Sequence, residues 1–223
     1  MNVNEIFSSI QGEGPAMGLP CTFVRLAGCN LNCTKETAGF DCDSTYAFKG
    51  KKLTIQQVVN RIIEEGNTLI IWTGGEPLLQ IREIETIYKV LCRDEPRFKY
   101  IFHIETNGTL ISRIGSIKHI DTIIISLKKH TIPILNFREM ELVLGNQKIY
   151  WKFVIGTKKD FIFWHNIIKN NENLIKYVYL MPAGVEDSIL KEISLWLVEK
   201  CKKYKYGFSP RLQIWLWGNK RGV

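Results

Sequence analysis

No window of this 223-residue chain approaches the roughly 20 apolar residues that a bilayer-spanning helix needs. The opening Met1-Asn2-Val3-Asn4-Glu5 lacks the basic segment and apolar stretch of a secretory leader. The expectation is a cytoplasmic protein with no membrane contact. Internal repeats, low-complexity tracts and a clear domain linker are also missing, which leaves one domain over residues 1–223. Hydrophobic residues at 45% and charged residues at 23% exclude bulk disorder. Long runs of one charge are scarce. The net charge of +8 favours anionic ligands in general, but the basic residues are dispersed. The densest run, Lys200 to Lys205, contains Cys201 and Tyr204 and reads as the solvated face of a helix, so no direct nucleic-acid binding is expected. The six cysteines do not form a staple framework, which would spread them along the chain; three fall between Cys29 and Cys42.

Short apolar runs read as strands at Thr22–Leu26, Thr68–Trp72, Tyr100–Glu105, Thr122–Ser126, Trp151–Ile155, Tyr177–Met181 and Leu212–Trp217. Helical spacing runs from Leu53 to Glu65, with Thr54 and Gln57 placed for a capping box. It recurs over Arg82–Cys92 and Asp187–Tyr204. Strands alternating with helices predict an α/β fold with a mainly parallel sheet. A closed eight-unit barrel typically takes about 250 residues. The expected architecture is therefore a partial or distorted (β/α)6 barrel, its ligands gathered at the C-terminal ends of the strands. Trp215 and Trp217 are expected in the core or at a dimer interface.

Cys29 and Cys33 are separated by three residues, and Cys33 and Cys42 by eight, in a long loop after the first apolar strand. Three thiols leave a metal position open, as reactive sites require. No histidine lies near them in sequence to complete a zinc set. Inert buried thiols are the plain alternative. Gly74-Gly75-Glu76-Pro77 ends the next strand: the glycines permit close backbone approach, Glu76 offers a charged acceptor for an amine, and Pro77 sets the exit. Nearer the start, Gln11, Glu13 and Arg25 could grip a flat heterocycle, or Glu13 and Arg25 could pair with each other.

The Cys-x3-Cys pair, the third cysteine and the Gly-Gly-Glu-Pro resemble the radical S-adenosylmethionine enzymes. That resemblance implies a [4Fe–4S] cluster on Cys29, Cys33 and Cys42, with S-adenosylmethionine on its open iron. The usual spacing is three residues and then two; the eight residues Thr34–Asp41 depart from it. Loop insertions are cheap, at about 0.6 kcal/mol per doubling of length.

A closer resemblance, to the 7-carboxy-7-deazaguanine synthases, runs through Asn4–Gly14, Phe23–Cys33, Cys42–Ala47, Glu105–Gly108, Ser126–Lys128 and Arg211–Asn219. It implies radical ring contraction of a carboxylated tetrahydropterin, with Mg2+ as a further cofactor. It also implies substrate contacts at Gln11, Gly12, Glu13, Arg25 and Gly75. S-adenosylmethionine contacts fall at Gly74, Gly75, Glu76, Thr106, Asn107, Ser126, Lys128 and Met181. The magnesium ligand falls at Ser44, with Thr45 as its rival, where the family carries threonine. A homodimer and a flavodoxin-like or other electron donor complete the implied partners. The competing readings are a glycyl-radical enzyme activase acting on a protein, and a zinc or nucleic-acid module.

Overall fold

The computed structural model describes residues 1–34, 37, 42, 48–114, 119–144 and 148–223. Ser44 and Thr45 lie outside the described residues. Among the described residues, nine strands form one sheet: β1 (Asn2–Ile10), β2 (Pro20–Leu26), β3 (Lys51–Lys52), β4 (Leu69–Gly74), β5 (Ile101–Thr106), β6 (Thr122–Ile125), β7 (Ile149–Ile155), β8 (Val178–Pro182) and β9 (Gly207–Phe208). The helices are α1 (Ile55–Glu65), α2 (Ile81–Asp94), α3 (Phe137–Leu144), α4 (Lys158–Asn170), α5 (Asp187–Tyr204) and α6 (Leu212–Trp217). The strand order is β3-β1-β2-β4-β5-β6-β7-β8-β9. From β2 to β9 neighbouring strands are parallel; β1 runs antiparallel to β2, and β3 antiparallel to β1. Six crossovers separate the parallel strands, five through helices and the one after β5 through a 3-10 turn at Ile111–Ile114. This is the open, partial (β/α)6 barrel.

Alternation along the strands sorts side chains between two layers. Val24, Leu26, Ile70, Trp72, Phe102, Ile104, Ile123, Ile125, Trp151 and Phe153 pack under the helices in the main core. They meet Val58, Val59 and Ile62 of α1, Ile84, Ile87 and Leu91 of α2, and Phe161, Trp164 and Ile168 of α4. The inner face is only partly apolar. Cys21, Leu69, Ile71 and Ala16, with Phe23 against them, plug one end. Beyond that plug the inward positions turn polar, with Arg25, Thr73, Glu105, Ser126 and Lys152 facing a cavity.

Local signals account for several boundaries. Thr54 and Gln57 close the expected capping box on α1, and Gly66 ends it in the left-handed region at φ 75°. Thr157 and Asp160 form a second box at the start of α4, a helix the sequence reading passed over. It also passed over α3, β1, β3 and β9.

Leu212–Trp217, expected as a strand, is the helix α6. The ladder beside β8 is taken by the two residues of β9, and Ser209 donates its N–H to Leu180 O at 2.9 Å. The next rung would need an N–H at position 182 to meet the Ser209 carbonyl, and Pro182, the last residue of β8, has none. The chain turns at Arg211 instead, whose carbonyl accepts from Ile214 and Trp215. Only Ile214 of this helix is buried; Trp215 is 72% exposed and Trp217 37%, so neither belongs to the core.

Candidate active site at the C-terminal ends of the strands

A cavity of about 900 Å³ opens where the parallel strands end. Cys29, Cys33 and Cys42 line it together with Gly74, Gly75, Thr106, Asn107, Ser126, Lys128 and Met181. Gln11, Glu13 and Arg25 line it too, so the two motif groups of the sequence share one space. Gly12 and Glu76 are not on its surface.

The cysteine loop is rooted by backbone contact. Gly75 N–H donates to Leu26 O at 3.0 Å, and Glu76 N–H to Gly28 O at 2.9 Å. Gly74 holds φ 108°, where any Cβ is strained. The close approach to a ligand expected of this Gly-Gly is instead an approach to the end of β2 and to Gly28. The loop is also clasped to the end of β5. Asn107 Nδ2 donates to Asn30 Oδ1 at 3.0 Å, and Asn30 Nδ2 to Thr109 Oγ1 at 2.8 Å.

Glu76 is fully buried and faces protein rather than the cavity. Its carboxylate accepts from Leu78 N at 2.9 Å, Thr106 Oγ1 at 2.8 Å and Asn107 N at 2.8 Å. Burial raises its pKa above the ordinary value, against the pull of those three donors. Its role here is to shape the turn that presents Thr106 and Asn107.

Burial pushes the Cys29 and Cys33 thiols up, and Cys42 pushes both the same way, joined by Glu76 at Cys29 and by Cys29 at Cys33. The Lys128 ammonium pulls both down, while its Nζ donates to Ser126 Oγ at 3.2 Å. Among the described residues, no three His, Cys, Asp or Glu side chains converge as a metal-binding group. The donor chemistry is nonetheless specific: three soft sulfurs border one cavity, and no described histidine lines it. Such a set suits iron–sulfur better than magnesium or a histidine-bound zinc.

Glu13 and Arg25 do not pair with each other. Arg25 is bonded to Glu5 and lies over the Phe7 ring at 4.9 Å. Glu13 accepts from Lys152 Nζ at 2.7 Å, Gln213 Nε2 at 2.7 Å and Arg211 Nε at 3.1 Å. Burial alone would raise its pKa, but the Lys152 and Arg211 cations outweigh it and hold the carboxyl far below its ordinary range. Gln11 donates to Glu105 Oε1 at 3.1 Å and accepts the Glu13 N–H. Gly12 lies beneath Gln213, its carbonyl bonded to Leu212 N at 3.1 Å.

Thr73, Glu105, Lys152, Arg211 and Gln213 were not assigned individual roles by the sequence reading. A lysine at an inward position of an apolar strand was the available signal for Lys152.

No family model matches the chain. It is 31% identical to 7-carboxy-7-deazaguanine synthase of Leptospira interrogans, over all of this chain and 98% of that one. It is 28% identical to the enzyme of the same name from Hyperthermus butylicus, over 96% of this chain and 92% of that one. Among solved structures, QueE from Escherichia coli superposes with a TM-score of 0.66 at 18% identity, covering 95% of this chain and 93% of that one. SuiB from Streptococcus suis reaches 0.51 at 13% identity, covering 84% of this chain but 48% of its own. The structural likenesses establish a common fold.

Proposed function

Because this chain belongs to the 7-carboxy-7-deazaguanine synthase family, we propose that its cavity joins two subsites, a cluster end at the three cysteines and a pterin end at Gln11, Glu13 and Arg25. The reaction is the radical ring contraction of 6-carboxy-5,6,7,8-tetrahydropterin to 7-carboxy-7-deazaguanine with loss of ammonia, a carbon–nitrogen lyase step in queuosine and archaeosine precursor synthesis. The observation that carries the subsite assignment is that both motif groups line a single cavity.

Cys29, Cys33 and Cys42 would hold the [4Fe–4S] cluster. When bound, the cluster and S-adenosylmethionine supply the 5'-deoxyadenosyl radical that takes hydrogen from the substrate. The protein's part is placement and charge. Gly74 and Gly75 bring β4 against the root of the cysteine loop. Thr106, Asn107, Ser126, Lys128 and Met181 form the wall assigned to S-adenosylmethionine, and Lys128 supplies positive charge toward its carboxylate and the thiolates. Glu76 supports that wall from beneath. Glu13, held ionised by its cations, accepts from the pterin N–H edge, and Gln11 both donates and accepts. Arg25 takes the substrate carboxylate; Gly12, away from the cavity surface, seats Gln213, and Gly75 borders the cavity while packed on Gly28. Ser44, with Thr45 as rival, would hold Mg2+.

The remaining parts of the reading are a single domain over 1–223, a cytoplasmic homodimer, a flavodoxin-like or other electron donor, and no direct nucleic-acid contact. No helix is long and apolar enough to cross a membrane among the described residues. The exposed Trp215 is the residue for a dimer test, with Trp215→Glu expected to shift sedimentation toward monomer.

The deciding experiment mixes anaerobically reconstituted protein, S-adenosylmethionine, a reductant and 6-carboxytetrahydropterin, with and without Mg2+. Appearance of the deazaguanine, enhanced by Mg2+, is expected. Absence of product with an intact cluster would remove the pterin assignment.

A further inference from the structure

Lys152 lies on β7 between Trp151 and Phe153, both fully buried in the core under the helices. Its own side chain takes the opposite face, into the barrel, and is 7% exposed. A lysine this deep is tolerated when its charge is paired. Nζ lies 2.7 Å from Glu13 Oε2 and 3.8 Å from Glu105 Oε1. These two carboxylates come from distant parts of the sheet, Glu13 just beyond β1 and Glu105 on β5.

Each carboxylate has its own set of donors. Glu105 accepts from Gln11 Nε2 at 3.1 Å and from Thr73 Oγ1 at 3.0 Å. Glu13 Oε1 accepts from Arg211 and Gln213. Lys152 ties the two sets together. Without its charge, two negative groups would share a poorly hydrated space, an arrangement that favours protonation of one of them. A protonated carboxyl presents a donor where a ring N–H needs an acceptor. The other titratable groups that bear on the pair are Arg211 beside Glu13, and His103 of β5 and Cys21 of β2 beside Glu105.

We propose that Lys152 is a positioning residue for substrate recognition, its ammonium holding the Glu13 and Glu105 carboxylates as a spaced pair of acceptors for two N–H edges of one flat ring. This rests on the pterin reading above.

The test is anaerobic calorimetry of 6-carboxytetrahydropterin binding to reconstituted, S-adenosylmethionine-loaded protein across pH. The proteins are wild type, Lys152→Met, Lys152→Gln, Glu13→Gln and the Lys152→Met/Glu13→Gln double variant. Loss of the lysine charge is expected to weaken pterin binding progressively as pH falls, about tenfold where the pH lies one unit below the pKa of the carboxyl that takes up the proton. Iron content and S-adenosylmethionine affinity should hold. The double variant should bind no worse than Glu13→Gln alone. Lys152→Gln keeps a hydrogen-bond donor without the charge, and carries the test if Lys152→Met does not fold. Wild-type affinity in Lys152→Gln, a loss independent of pH, or additive losses in the double variant would overturn the proposal. Failure of the wild type to bind the pterin would instead sink the substrate reading, and this inference with it.

Discussion

Gly75 and Gly28 meet backbone to backbone: a Cβ built on Gly75 would lie 2.0 Å from the Gly28 carbonyl oxygen. The contact sits one residue before Cys29, so the end of β4 and the root of the cysteine loop are a single packed unit. Gly75→Ala must push these backbones apart. The expected cost is about 3 kcal/mol or more, at the upper end of overpacking effects. Urea unfolding should show a lower midpoint, and reconstitution should yield less iron per chain. Wild-type values for both would show that the loop can move aside.

Glu76→Gln keeps the size of the side chain but changes its pattern of donors. Three donors converge on the carboxylate, so the new amide N–H2 must oppose at least one of them. About 1–3 kcal/mol of stability should be lost. The check is a lower urea midpoint with an unchanged denaturant slope. S-adenosylmethionine affinity should fall as well, because Thr106 and Asn107 are displaced.

Asn30→Ala removes both bonds of the clasp between the cysteine loop and β5. The clasp is half exposed, so global stability should drop by only about 1 kcal/mol. Cluster retention should suffer more. Iron release to a chelator, followed by loss of visible absorbance, is expected to quicken several-fold over the wild type. An unchanged release rate would show that the thiols hold the loop unaided.

Acid should unfold this protein through a small set of carboxylates. Burial opposes ionisation of Glu5, Glu13 and Asp160, yet hydrogen bonds and cations hold each below its ordinary value, 4.5 for the glutamates and 3.8 for the aspartate. Each therefore contributes stability in full above the unfolded value and loses it as pH falls toward the folded one. Glu76, raised by burial, runs the opposite way. Unfolding free energy should accordingly decline as pH drops below 4.5. Glu13→Gln should flatten that decline, measured by urea titrations at a series of acid pH values. A slope equal to that of the wild type would contradict the assignment.

Much of the barrel was legible because it is local. Six apolar runs became parallel strands with small shifts at their ends, and Thr54 with Gln57 marked the start of α1. The misread Leu212–Trp217 segment shows where local pattern stops. Its apolar residues fit a strand, but the ladder position beside β8 was already filled and Pro182, at the end of β8, has no N–H to extend it. Strand β1 went unread because one of its nine residues is fully buried, which leaves little alternation to see. The cysteines and the Gly-Gly were visible as motifs. The environment of Glu13 was not, because Lys152 is 139 positions away and Arg211 is 198. Sequence spacing carries no information about ion pairs made across the barrel.

The reach from Glu13 to Gln213, 200 positions along the chain, also sets an order of assembly. During synthesis the barrel strands emerge in sequence, each next to its neighbour, and their contacts can form as they appear. The cysteine loop and its Gly75 anchor belong to the first third of the chain. The far wall of the cavity, around Glu13, arrives almost last, once Arg211 and Gln213 have left the ribosome. A nascent chain therefore has its three clustered cysteines in place well before the cavity is closed around Glu13. A chain stopped short of Arg211 would keep the cysteine loop and its Gly75 anchor but lose two of the three side chains that hold the Glu13 carboxylate.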